Sequence, residues 1–242
     1  MKTKLALLCV LLVLASAPVL AQSVVITGKK VTYRRPKPMS EYKRTFTIRY
    51  PKVKAATQVL SQKIESAISY QKILSINLND ELHDTQWLEE ADYKVGYNRN
   101  GILSIELSMD GSGAYPSGRT KYVVVDTRSG MRMRAIDVFT DLPHLATMVR
   151  RMQKEEIAKA IVDIKKQQSA GDPPPDDLFK DTAFGVKGLN EFSVDDKGVV
   201  FHYDYGFPHV ILAMQPEGEF RLLWTELRPF IKPGGLLHRI AR

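Results

Sequence analysis

The chain has 242 residues, 44% of them hydrophobic, and a formal net charge of +8 at pH 7. That balance is normal for a globular chain, and the length suits one domain or two intimately packed halves. The only cysteine, Cys9, lies in the first segment, so a disulfide scaffold is excluded.

Lys2 and Lys4 open the chain, an apolar run follows from Leu5 to Leu14, and Val19-Leu20-Ala21 places small residues where a signal peptidase reads. Residues 1–21 are therefore expected to be an export signal cleaved before Gln22. The apolar run is too short to span a membrane, and no comparable run occurs later. Cys9 sits inside the run, whereas a lipidated cysteine should end it. Loss of Lys2 and Lys4 leaves the mature chain at +6, with neither a disulfide nor a thiolate nucleophile. This excess argues solubility and steering. In a secreted or periplasmic chain, nucleic acid is the least expected partner.

Residues 22–41, with Pro36 and Pro38, read as an exposed lead-in holding at most one edge strand. In YKRTFTIRY, Phe46, Ile48 and Tyr50 alternate with Thr45, Thr47 and Arg49, predicting a half-buried strand that Pro51 ends. Val53, Ala56, Val59, Leu60, Ile64, Ala67 and Ile68 recur at helical spacing, predicting a helix of about four or five turns. Tyr93, Val95 and Tyr97, then Leu103, Ile105, Leu107 and Met109, flank Asn100-Gly101 and predict a tight hairpin. TKYVVVD is apolar on both faces, as in a central strand, and Ser129-Gly130 turns it towards Met131.

Thr140 and Asp141 are expected to cap a long helix with Pro143 in its first turn. Its buried stripe is Leu145, Met148, Val149, Met152, Ile157, Ile161 and Ile164. Arg150, Arg151, Lys154, Lys159, Lys165 and Lys166 read as its solvated basic face. GDPPPDD, residues 171–177, is a loop, with a short helix from Asp176 to Phe179. Phe192 and Val194, a turn at Asp195–Gly198, and Val199, Phe201, Tyr203 and Tyr205 form a second hairpin. Phe220, Leu222 and Trp224 alternate in a last strand, and Pro229 and Pro233 terminate a brief helical turn after it. This order predicts an α+β fold, a largely antiparallel sheet with two main helices packed on it. It is expected as one domain over 42–232, with halves of about 42–139 and 140–232 and a tail over 233–242.

YP at Tyr50-Pro51, YNRNGILSIEL followed by GSGAYPSG, VVVDTRSGMRMRAIDVF, FSVDDKGVVFHYDYGF and WTELRPFI follow one another from about Tyr42 to Lys232. In this order and spacing they resemble an extracytoplasmic domain of unknown function. That domain occurs in RsiV-type anti-sigma factors and beside the catalytic domain of PdaC-type peptidoglycan deacetylases. Ala114-Tyr115-Pro116 stands where the usual loop carries Ala-His-Pro. The resemblance implies an α+β module that recognises something at the cell envelope, with lysozyme the partner in RsiV-like members.

No Gly-x-Ser-x-Gly elbow, His-Glu-x-x-His or phosphate-cradling glycine loop occurs. Asp195-Asp196 reads as turn chemistry, and His83, His144 and His238 are isolated. Ligand-binding candidates are Tyr115 and Ser117 of GSGAYPSG, expected as a projecting loop, with Tyr205, Phe207 and His209 of a following turn. The expected function is non-catalytic and needs no cofactor: binding of an envelope glycan such as peptidoglycan, or of a secreted protein such as lysozyme. The alternative is a metal-assisted envelope hydrolase. There His202 and Asp204 share a strand face and a turn folds His209 back onto them.

Overall fold

A computed structural model describes residues 23–113, 115–167 and 175–241. The expected export signal, Ala114 and residues 171–174 of the proline loop lie outside them. The fold is α+β, and its strands divide between two sheets. The first holds β1 (Val25–Arg34), β2 (Thr45–Lys54), β3 (Leu88–Arg99), β4 (Ile102–Ser112), β5 (Pro116–Asp126) and β6 (Met131–Arg132), in that spatial order. Among the described residues only β2 and β3 pair in parallel, joined through α1 (Gln58–Ala67), α2 (Tyr70–Ile73) and α3 (Leu78–His83). After α4 (Ala135–Val138) and the long α5 (Leu142–Gln167), β7 (Phe192–Val194), β8 (Gly198–His202) and β9 (Glu219–Leu223) form a second, antiparallel sheet, followed by α6 (Trp224–Leu227).

The β3–β4 hairpin turns at Asn100 (φ 56°) and Gly101 (φ 78°), the positive angles that Asn-Gly accepts at low cost. Leu103, Ile105, Leu107, Val123 and Val125 pack with Ile64 and Ile68 beneath α1. Tyr97, Ile102 and Val124 point the other way, into a core shared with Phe192, Phe201 and Phe220 of the second sheet and Leu145 and Val149 of α5. The double-sided apolar run in β5 thus serves two cores. Its hydrogen-bond partners are β4 along its length and only the two-residue β6 on the other side, so it is buried by packing and is not flanked by long strands.

Several local expectations are corrected. The lead-in does hold one edge strand, ten mostly exposed residues paired with β2, but Arg35 beyond it is buried where an exposed residue is expected. The Arg35 guanidinium donates to the carbonyls of Glu81 (3.0 Å), Lys43 (2.5 Å) and Leu88 (2.7 Å), and burial lowers its pKa. Pro51 does not end β2, because β3 pairs only with Thr47 and Ile48 and makes no demand on the missing N–H. Val53 accordingly belongs to the strand. The first helix has ten residues, capped by the Thr57 hydroxyl, and its Val59 is exposed. Trp224 opens a helical turn and does not extend the last strand. In the expected tail, Leu236 and Leu237 are core residues.

At α5 the expected cap forms: the Asp141 side chain accepts from His144 N–H, while Thr140 bonds the Phe230 carbonyl. Leu145, Val149 and Ile164 are buried as the stripe requires. Polar ties among the described residues join the sheets. Ser104 Oγ in β4 accepts from Val194 N–H (3.0 Å), and Glu191 accepts from Tyr122 N–H (2.8 Å) while pairing with Lys121.

Candidate functional site

Where the exposed first half of β5 passes the end of β8, the two sheets leave an open groove of about 660 Å³. Its lining includes Ser117–Tyr122 of the β4–β5 hairpin, His202 at the end of β8, and residues from the chain between β8 and β9, among them Asp204, Phe207, His209 and Glu217. GSGAYPSG is less of a loop than expected. Strand pairing continues to Ser112 opposite Pro116, which places Gly113 and Tyr115 at the tip of a long hairpin. Gly111 is required there, because a Cβ would stand 2.2 Å from the Trp87 carbonyl oxygen.

Tyr115 at this tip is 59% exposed, and its ring stacks on the His209 imidazole at 4.9 Å with 22° between planes. These residues, 94 positions apart, make an exposed ring pair, and Ser117 is exposed beside it. Tyr205 and Phe207 are corrected to core residues, each 7% exposed. Both pack on Phe179, and Tyr205 Oη donates to Glu156 Oε2 at 2.6 Å. Burial and the Glu156 carboxylate raise that phenol's pKa. Phe207 still contributes to the groove's lining. Alternation along the chain continued past His202, but the strand stops there, and the aromatics after it fold inward against Phe179 near α5.

The structure does not assemble His202, Asp204 and His209 as a ligand set, and no group of three such residues among the described residues could hold a metal ion. His202 lies flat against Tyr122 at 3.4 Å and shares a 2.8 Å hydrogen bond with Ser193 Oγ through Nε2. Burial, aided by the positive charge of Arg221, holds its pKa down at about 4. The Glu219 carboxylate, 3.7 Å from Nδ1, therefore faces a neutral ring beyond hydrogen-bond reach. Asp204 accepts from Gly206 N–H at 2.8 Å, as in a local Asx turn. His209 is committed to Tyr115.

The groove has the opposite charge balance to the whole chain. Asp110, Glu191, Asp204, Glu217 and Glu219 line it against Arg119 and Lys121, and Lys121 is paired with Glu191 at 3.2 Å. Tyr122, Arg119, Ser193 and Glu219 were not anticipated as site residues. Tyr122 was legible only as part of a strand, and which face of β5 meets the second sheet depends on packing between segments about 80 residues apart.

No family model matches the chain, and no curated protein matches its sequence. Solved structures do share its fold, among them two DUF3298 proteins. A member of the DUF3298 family from Bacteroides fragilis is 13% identical, with a TM-score of 0.55 over 90% of this chain and 98% of that one. A DUF3298 family protein from Pseudomonas aeruginosa is 17% identical, with a TM-score of 0.53 over 87% and 94%. The fold is that of DUF3298 proteins. At such identities the likeness concerns the fold alone, and the functional argument rests on the groove.

Proposed function

We propose that this protein is an exported binding module that takes an envelope glycan such as peptidoglycan in the groove between β5 and the β8–β9 connection. The Tyr115–His209 stack at the hairpin tip carries this reading. An exposed ring pair offers a flat apolar surface to a sugar face, and nearby carboxylates and Arg119 supply hydrogen-bond acceptors and donors for hydroxyls. The amino-terminal signal pattern and the resemblance to RsiV- and PdaC-type envelope domains support the compartment. Isothermal titration of the mature protein with chito-oligosaccharides and soluble peptidoglycan fragments tests it. Saturable binding weakened by Tyr115→Ala is expected, and no binding to either ligand defeats the glycan reading.

One observation favours a secreted cationic protein, such as lysozyme, as a second reading. The chain's net charge opposes such an encounter, but the groove's carboxylates outnumber its cations and create a local field of the required sign. Titration with lysozyme at low and high salt separates the readings. Salt-sensitive protein binding without glycan binding selects the second.

A further inference from the structure

We infer that a second groove, between α1 and the β5–β6 turn, binds an acidic, partly apolar segment of a protein partner. This groove, of about 1070 Å³, is lined by Val59, Leu60, Lys63 and Ala67 of α1, by Lys72 and Ile73 of α2, and by Arg128–Arg132. Four cations, Lys63, Lys72, Arg128 and Arg132, border it, and among the described residues no carboxylate does. All four are exposed, and none makes an ion pair among the described residues. Between them Val59 and Met131 are each 63% exposed, although burial is the usual fate of such side chains.

The walls are pre-organised. Asp126 accepts from Arg128 N–H (3.2 Å) and from Ser129 Oγ–H (3.0 Å), and its backbone carbonyl accepts from Gly130 N–H (2.8 Å). Gly130, at φ +74°, lets the turn approach α1, since a Cβ there would stand 2.7 Å from Lys63 Cβ. The turn is thus held against the helix before any ligand arrives, which lowers the ordering cost of binding.

Charge and distribution select the occupant. The cations come from α1, α2, the turn and β6, so they surround the groove from several elements and suit a ligand carrying several separated anions better than one headgroup. The exposed aliphatic groups among them match a segment that alternates acidic and apolar side chains, as in helix-in-groove recognition. An adaptable methionine at the rim is suited to such contacts.

A fluorescein-labelled amphipathic peptide of glutamate and leucine, with a glutamine-for-glutamate counterpart, provides the test by fluorescence anisotropy. The mature protein should bind the acidic peptide at least ~10-fold more tightly than the glutamine peptide, the scale of a few paired charges. Lys63→Glu combined with Arg132→Glu should abolish that preference. Val59→Ser with Met131→Ser should weaken both peptides. Circular dichroism melts verify that the variants are folded, as their exposed positions lead one to expect. Equal binding of the two peptides, or an acidic-peptide affinity unchanged by the charge reversal, overturns the inference. Charge-dependent sedimentation with phosphatidylglycerol vesicles and no peptide binding overturns it too, and assigns the groove to lipid.

Discussion

Strand β5 borders both grooves: Ser117–Tyr122 at its start line the first, and the turn directly after Asp126 lines the second. The first combines carboxylates with stacked rings, and the second combines cations with exposed aliphatic side chains. One strand therefore separates two surfaces of opposite sign in a chain whose formal charge is +8. Net charge describes the long-range field, whereas recognition depends on which charges the fold gathers within a Debye length of about 8–10 Å.

The comparison also separates rim from foundation, and this separation can be broken by mutation. Phe207→Ala removes a 7%-exposed ring packed at 5.2 Å on Phe179 and should cost about 3–5 kcal/mol in urea unfolding. A loss below about 1 kcal/mol would return Phe207 to the binding surface. On the other side of the sheet, Ile105→Ala, at 1% exposure beneath α1, should cost about 2–5 kcal/mol.

Acid should act through the first groove. The His202 pKa is about 4 in the fold, below its ordinary 6.5, so the unfolded chain takes up a proton that the native chain refuses. Stability is full above pH 6.5 and falls as pH drops towards 4, by on the order of 3 kcal/mol. Asp137, whose carboxyl Arg134 holds low through a hydrogen bond, loses its contribution only below its ordinary range near 4. Denaturant midpoints measured across pH 7 to 4 should therefore flatten in His202→Gln, and an unchanged slope would refute a buried neutral imidazole.

Smaller effects test the rim. Tyr115→Ala should weaken glycan binding by about 1–3 kcal/mol while stability changes by less than about 0.5 kcal/mol. Loss of fold instead would make Tyr115 a structural residue. The smallest expected effect concerns independence: Lys63→Glu with Arg132→Glu should shift glycan affinity by no more than about 0.5 kcal/mol, since the two sites share no partners. A larger change in titration calorimetry would mean that the grooves are coupled through β5.

Period and turn chemistry made the local elements legible. Asn100-Gly101 dictated its hairpin because both residues tolerate positive φ, and the Leu145, Val149 and Ile164 spacing placed one face of α5 in the core. The triple valine of β5 announced burial on both faces, which is a property of the strand itself. Tertiary structure decided the rest. Lone alternation could not tell a strand residue from an inward-folding aromatic, so Tyr205 and Phe207 resembled His209 until packing on Phe179 separated them. Nor could it divide the strands between two sheets, extend β2 through Pro51, or bury Arg35 beneath three carbonyls. Each outcome depends on which distant segment supplies a hydrogen-bond acceptor or an apolar surface. The same holds for the Tyr115–His209 stack: each ring was visible in the chain as a turn residue, but their contact exists only because the β4–β5 hairpin reaches the connection after β8.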